Sequence, residues 1–381
     1  MHVALPVALF LPPGGTSPGE MWMSSARRAA CQDTIRRLQA TGRADPIFVL
    51  AADSEDREAL RAVGVTILPA LQDEGTFHFG RALAGVAEAA GKGPLAYFGG
   101  ASAPLMSAEA LGQVLELACR SAGRPIAWVN NHLSTDWAVL ADSACLGAAA
   151  AKLATDNPLG WHLGRQAGFD VVALPVSAAT QADIDTPADA LLMARHPDLG
   201  QAMTAFLDQR QSAGLLQKVD ALRRLLDTPA STLAIIGRSS STIWQAIERR
   251  KQVWVRLFVE ERGMLASGRA ERGEVRSLIG ELLDDWGPAR FVERLSAMAD
   301  GVLWDNRVWM AHRGLWPSAS DRFAADLGRP GEVAERELAA LTEAIQAAPI
   351  PILTGGHSLV SGSLMALIES LEPIADSPPE P

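Results

Sequence analysis

The sequence predicts an α/β protein in which a larger, three-layer Rossmann-like domain is followed by a second, smaller α/β domain. Short apolar runs alternate with helical stretches through the first half, the pattern of a parallel sheet covered by helices. The same alternation restarts after residue 230, and between the two lies a stripe of leucines at helical spacing. At 381 residues the chain exceeds what one core normally serves. The predicted boundaries are therefore 1–197 for the first domain, 198–230 for a helical linker, 231–372 for the second domain and 373–381 for a disordered tail rich in proline and acidic residues.

Val3 to Leu11 reads as the first strand, and Ala26 to Ala40, with Ala30, Ile35 and Leu38 among its apolar positions, as a helix. Strands at Pro46 to Ala51, Val65 to Leu68 and Pro94 to Phe98 are separated by helices at Glu55 to Val63 and Phe79 to Ala90. A helix over Ala108 to Ala122 leads to strands at Ile126 to Val129 and Trp137 to Leu140, then a helix over Leu146 to Leu153. Val171 to Val176 is the last strand of this half. Met203, Phe206, Leu207, Leu215, Leu216, Val219, Leu222, Leu225 and Leu226 make the stripe of the linker. In the second half the expected strands are Leu233 to Gly237, Trp254 to Val259, Val302 to Trp304, Val308 to His312 and Ile350 to Thr354. Helices are expected near Thr242 to Arg249, Arg276 to Asp285, Pro288 to Met298, Asp321 to Asp326, Val333 to Ala347 and Val360 to Leu371.

A 48% hydrophobic content with 20% charged residues describes a globular chain. The net charge of −10 argues against a general nucleic-acid binder, which needs clustered lysine and arginine, but leaves room for a nucleotide in a local pocket. Cys31, Cys119 and Cys145 are widely spaced and form no CxxC pair, so reduced thiols in a cytoplasmic protein are expected. Met1 to Pro12 lacks a basic leading region and reads as a buried strand rather than a signal peptide. No apolar run is long enough to cross a bilayer, so no membrane partner is expected.

The most informative stretch is Asp183-Ile-Asp-Thr-Pro-Ala-Asp-Ala-Leu-Leu192, which follows the apolar run Val171 to Val176. Thr186 is a natural N-cap, Pro187 fits the first helical position, and Asp189 stands where a capping box needs its acid. Asp183 and Asp185 precede that helix, where two carboxylates either favour its N-terminus or hold a hard cation such as Mg²⁺ beside a phosphate. A strand, a short loop and Asp-Ile-Asp-Thr-Pro-x-Asp resemble the closing motif of nucleotidyltransferases of the GT-A-like fold, a group that includes the molybdenum-cofactor and phospholactate guanylyltransferases. The resemblance covers roughly residues 1 to 197 and implies a nucleotide-binding domain with Asp183 and Asp185 as catalytic metal ligands.

In that family a glycine-rich loop after the first strand wraps the nucleotide phosphates. The corresponding loop here is Leu11-Pro-Pro-Gly-Gly-Thr-Ser-Pro-Gly19, so the resemblance assigns Gly14, Gly15, Thr16 and Ser17 to the nucleotide, although no basic residue appears before Arg27. The family's metal-binding aspartate follows the central strand in a Gly-Asp-x-Pro pattern. Here Phe98-Gly-Gly-Ala-Ser-Ala-Pro104 puts Ser102 at that place, and a hydroxyl brings no charge to a cation. Asp136, ahead of a neighbouring strand, is a carboxylate that could compensate. The sequence thus reads as a protein that binds a nucleotide or phosphorylated metabolite. The alternative is an active Mg²⁺-dependent nucleotidyltransferase with an altered site, whose acceptor is held by the C-terminal domain.

The second domain offers polar clusters at strand ends: Gly237-Arg238-Ser239-Ser240-Ser241, Glu260-Glu261-Arg262, Ala311-His312-Arg313 and Gly355-Gly356-His357-Ser358. In an open parallel sheet such ends face the ligand crevice. Arg238, Ser239, His312, Arg313, His357 and Ser358 are therefore the candidate residues for an anionic ligand. Gly356-His357-Ser358-Leu359-Val360 lacks the closing glycine of a nucleophile elbow, and no histidine follows Ser358, so serine-hydrolase chemistry is not expected.

Overall fold

A computed structural model of the chain describes residues 4–68, 72–73, 76–208, 213–265 and 267–371. The expected tail at 373–381 lies outside the described residues. The chain divides into two compact units. One comprises Met1–Gly14, Ser24–Asp183 and Gly200–Met203, the other Gly15–Met23, Ile184–Leu199 and Thr204–Pro381.

The strands of the first unit are β1 (Leu5–Leu11), β2 (Ala44–Ala51), β3 (Thr66–Leu68), β4 (Gln72–Asp73), β5 (Thr76–Phe77), β6 (Leu95–Gly99), β7 (Ile126–Val129), β8 (Trp137–Leu140) and β9 (Asp170–Ala173). Apart from the small β4–β5 hairpin they form a seven-stranded sheet in the order β3-β2-β1-β6-β8-β7-β9, with β8 antiparallel to both neighbours. Strand periodicity builds the layers. In β1, Leu5, Val7, Leu9 and Leu11 point to one face, where Cys31, Ile35, Leu38, Leu111 and Leu115 cover them. Ala8 and Phe10 point to the other, against Leu83, Val86, Leu159 and Leu163. The result is the α/β three-layer arrangement expected of the first domain.

The second unit carries β10 (Thr232–Gly237), β11 (Trp254–Val259), β12 (Gly301–Asp305) and β13 (Ile352–Gly355), all parallel, in the order β11-β10-β12-β13. One face is covered by the helices Pro288–Met298 and Arg336–Gln346, through Phe291, Leu295, Leu338, Leu341 and Ile345. Leu222 and Leu225, from the helix Ala213–Leu226, pack so closely on Gly301 that a Cβ there would lie 2.8 Å from both side chains. The leucine stripe read as a linker therefore packs within this unit.

Residues Ile184–Leu199, read as the end of the first domain, also cluster with the second unit. The helix Pro187–Leu192 is buried along its whole length and packs against β13 and the helix Gly362–Glu369. Full burial of Leu191 and Leu192 contributes roughly 1.5–3 kcal/mol each. At the other end of the chain, Trp22 meets Phe206 edge-on with ring centroids 4.8 Å apart, within the same unit.

Two further expectations change. The strand expected over Val308 to His312 is the helix Arg307–His312, in which Arg307, Val308, Trp309, Met310 and Ala311 are all buried. An apolar run enclosed on every side shows no period that separates strand from helix. The first helix begins at Pro18, eight residues before the expected Ala26. Ser17 caps it, with its hydroxyl 2.8 Å from Glu20 Oε2 and its N–H on the same carboxylate at 3.2 Å. Among the described residues no helix is long and apolar enough to cross a membrane.

Candidate functional site

In the first unit the chain leaves β1 toward β2 and β3 on one side, while β6 takes the other. The carboxyl ends of β1 and β6 are thus the switch point where an open α/β sheet receives ligands. Gly100 N–H donates to Phe10 O at 2.8 Å, and a Cβ on Gly100 would fall 2.6 Å from the Leu11 side chain. This glycine lets the end of β6 close on β1.

Carboxylates flank the β6 end. Gly99 N–H donates to the Asp136 carbonyl at 2.9 Å, and Asp136 Oδ2 accepts from Asn130 Nδ2 at 2.6 Å. Ser102 forms an isolated antiparallel bridge with Asp183, and its hydroxyl donates to Gly99 O at 2.9 Å. Tyr97, on the same strand, is buried and donates to Asp156 Oδ2 at 2.8 Å. Burial, then the charge of Asp156 and its hydrogen bond, and then the charges of Asp136 and Asp183, push the phenol well above its ordinary range. It therefore stays a donor at physiological pH.

The expected phosphate loop is divided. Gly14 belongs to the first unit, where its N–H is engaged by Asp53 Oδ2 at 2.7 Å. Gly15, Thr16 and Ser17 belong to the second, where Glu20 takes the Ser17 amide and lies against Gly15. Two amides of the loop thus already face internal carboxylates, which repel phosphate. Asp183 groups with the first unit and Asp185 with the second, where its charge acts on Arg238 and His357.

In the second unit β10 is the strand with neighbours on both sides of the reversal, so the ends of β10 and β12 make its switch point. Arg238 there forms a fork with fully buried Asp305: Nε to Oδ2 at 2.6 Å and a terminal nitrogen to Oδ1 at 3.1 Å. Burial alone would raise the Asp305 pKa. Arg238, with His357 and Arg307 adding smaller contributions, holds it below the usual carboxylate range. Gly237 makes the fork possible. Its φ is +122°, and a Cβ would lie 2.5 Å from Asp305 Cβ. Gly237→Ala is expected to cost roughly 2–4 kcal/mol, from strained backbone plus overpacking. Chemical denaturation checks this, and a loss under about 0.5 kcal/mol would contradict it.

His357 follows β13; burial, then the Arg238 charge, lower its pKa to about 4, so it is neutral at pH 7. Its Nε2 is buried without a partner among the described residues. Ser239 donates to Val360 O at 2.9 Å, and Ser358 joins Ser363 at 3.1 Å, so both serve packing networks. His312 and Arg313 stand at the end of a helix rather than a strand. His312 Nδ1 accepts from Ser277 N–H at 3.2 Å, and Arg313 pairs with Asp284 and Glu337. The charge of Arg238 acts on His357, whereas Arg313 is held by these surface carboxylates. Asp305 was not anticipated, because its partner lies 67 residues away. Glu260, anticipated only as part of a polar cluster, accepts from Ser277 Oγ through Oε1, while its Oε2 is buried without a partner among the described residues. Burial lifts its pKa to about 7.

No family model matches the sequence, and no curated protein does. Among solved structures, a cytidylyltransferase from Leptospira borgpetersenii is similar at 12% identity over 58% of this chain and 97% of its own, with a TM-score of 0.42. A CMP:2-keto-3-deoxy-manno-octonic acid synthetase in complex with CTP is similar at 14% identity over 49% of this chain and 95% of its own, with a TM-score of 0.34. A Desulfovibrio desulfuricans G20 protein named for nucleotide-diphospho-sugar transfer reaches a TM-score of 0.39 at 16% identity, over 58% of this chain and 98% of its own.

Proposed function

We propose that the first unit binds a nucleotide or phosphorylated metabolite at the switch point between β1 and β6. The observation that carries this reading is the set of carboxylates around the β6 end: Asp136 and Asp183 both act on Tyr97, and Ser102 bridges to Asp183. Such a lining repels a bare phosphate and suits one accompanied by a hard cation. Among the described residues no three His, Cys, Asp or Glu side chains are grouped to hold a metal by themselves. The donor set fits Mg²⁺, which takes one or two carboxylates and completes its shell with water and ligand phosphate oxygens. Asp183 and Asp136 would hold it, and when bound it would neutralise phosphate charge.

The second reading is nucleotidyl transfer. It is favoured by Asp136, which supplies a second carboxylate where Ser102 supplies none. Both readings are tested by thermal shift with the four nucleoside triphosphates, with Mg²⁺ and with EDTA. At a hundred times Kd, binding should add about 2.7 kcal/mol, a rise of a few degrees in Tm. The rise is expected to require Mg²⁺ and to vanish in Asp183→Ala. Equal stabilisation in EDTA would remove the metal from this reading, and no stabilisation by any nucleotide would remove the nucleotide. Pyrophosphate release from a stabilising nucleotide, lost in Asp136→Ala, would establish transfer.

A further inference from the structure

The second unit gathers around the Arg238–Asp305 fork more polar groups than its own packing satisfies. Asp305 occupies Nε and one terminal nitrogen of Arg238, and the remaining guanidinium nitrogen takes no partner among the described residues. Arg262, just beyond β11, forms no hydrogen bond or ion pair with a described residue. Its charge and that of Arg238 oppose each other, and both act on His357. Asp305, then Asp185 and Glu260, offset the charge of Arg238, whereas no carboxylate of a described residue is bonded to Arg262, whose guanidinium fork matches the oxygens of a phosphate or carboxylate.

The His357 Nε2 is buried and unpartnered beside these charges, a group whose desolvation is offset only when a hydrogen-bond partner arrives. The ten-residue helix Ser241–Arg250 starts directly after Arg238-Ser239-Ser240, so its first-turn amides add positive potential at the same strand end. All of these groups lie at or just beyond the carboxyl ends of parallel strands, where the sheet's connections reverse.

We propose that the second unit carries a separate oxyanion site at the carboxyl end of β10, where Arg238, Arg262 and His357 Nε2 take a phosphate or carboxylate group of a small metabolite. The unpartnered Glu260 Oε2 provides a place for a hydroxyl on the same molecule. This site is independent of the one in the first unit and needs no metal.

The full chain is titrated with inorganic phosphate and, separately, with succinate at constant ionic strength and in EDTA. Thermal shift and the side-chain ¹⁵N resonance of His357 Nε2 are followed. Saturable stabilisation by at least one probe, with movement of the Nε2 resonance, is expected; phosphate alone identifies a phosphorylated ligand, succinate alone a carboxylate. Arg262 is exposed, so Arg262→Ala leaves the fold intact, and it should weaken binding at least fivefold. Asp183→Ala should leave it unchanged, which separates this site from the nucleotide site. Absence of saturable binding by both probes, an unmoved Nε2 resonance, equal affinity in Arg262→Ala, or loss in Asp183→Ala would each overturn the proposal.

Discussion

Replacing Asp305 with alanine is expected to destabilise the second unit by about 3–5 kcal/mol, the cost of leaving one half of a buried ion pair without the other. Asp305 is fully buried, and Arg238 reaches it through a two-point fork with little access to water. Oδ1 also accepts from Arg307 N–H and Oδ2 from Arg238 N–H, both at 3.3 Å, so four donors lose their acceptor together. Because the folded pKa lies below the unfolded one, the stabilisation is present above about pH 4 and fades as pH falls through the folded value. Urea denaturation followed by tryptophan fluorescence, with Trp304 next to the substitution, reads the effect. A loss under 1 kcal/mol at pH 7 would show that the fork contributes little.

Asp189→Asn is expected to act in the opposite direction. Asp189 is fully buried; its Oδ2 accepts from Thr186 N–H and hydroxyl, both at 2.7 Å, and its Oδ1 from Ser363 at 3.1 Å. Burial, then the charge of Asp185, raise its pKa to about 8. In the unfolded chain it titrates near 4. Below that value both states are protonated and stability is complete. Between about 4 and 8 the unfolded chain ionises while the folded one does not, so stability falls as pH rises, and the loss levels off above the folded pKa. Four pH units correspond to on the order of 5 kcal/mol as an upper limit. Asparagine keeps the acceptor for Thr186 and presents its amide to Ser363, whose hydroxyl can accept. The variant should therefore be more stable than the parent at pH 8 and nearly equal at pH 4. Parallel pH profiles for the two proteins would refute this. Asp189→Ala, which removes the acceptor altogether, should be destabilised at both pH values by about 1–3 kcal/mol.

The strands were legible because each is a short apolar run bounded by turn residues; Trp137–Leu140 and Trp254–Val259 match residue for residue. Helix starts were legible where their punctuation was recognised. Thr186-Pro-Ala-Asp189 and Ser17-Pro-Gly-Glu20 obey one capping rule, yet the second was read as a phosphate loop because two glycines precede it. Arg307–His312 could not be told from a strand, since burial on all sides erases the period. Arg238 and His357 were legible as polar residues at strand ends. Asp305 was not, since a carboxylate closing a strand looks the same whether it meets solvent or an arginine 67 positions away. The division of Asp183 from Asp185 was equally hidden, because two carboxylates separated by one residue read as a pair in any linear pattern.

The way the two units share the chain sets an order for its synthesis. Residues 15–23 leave the ribosome long before the strands of their own unit, which begin at Thr232. The helix Pro187–Leu192 likewise emerges long before β13 and the helix Gly362–Glu369 that enclose it. The first sheet has every strand available once Ala173 is out, whereas the second unit completes its core only when the helix Gly362–Glu369 arrives. Until then its early pieces wait with their apolar side chains exposed, clients for the chaperones that meet emerging polypeptides.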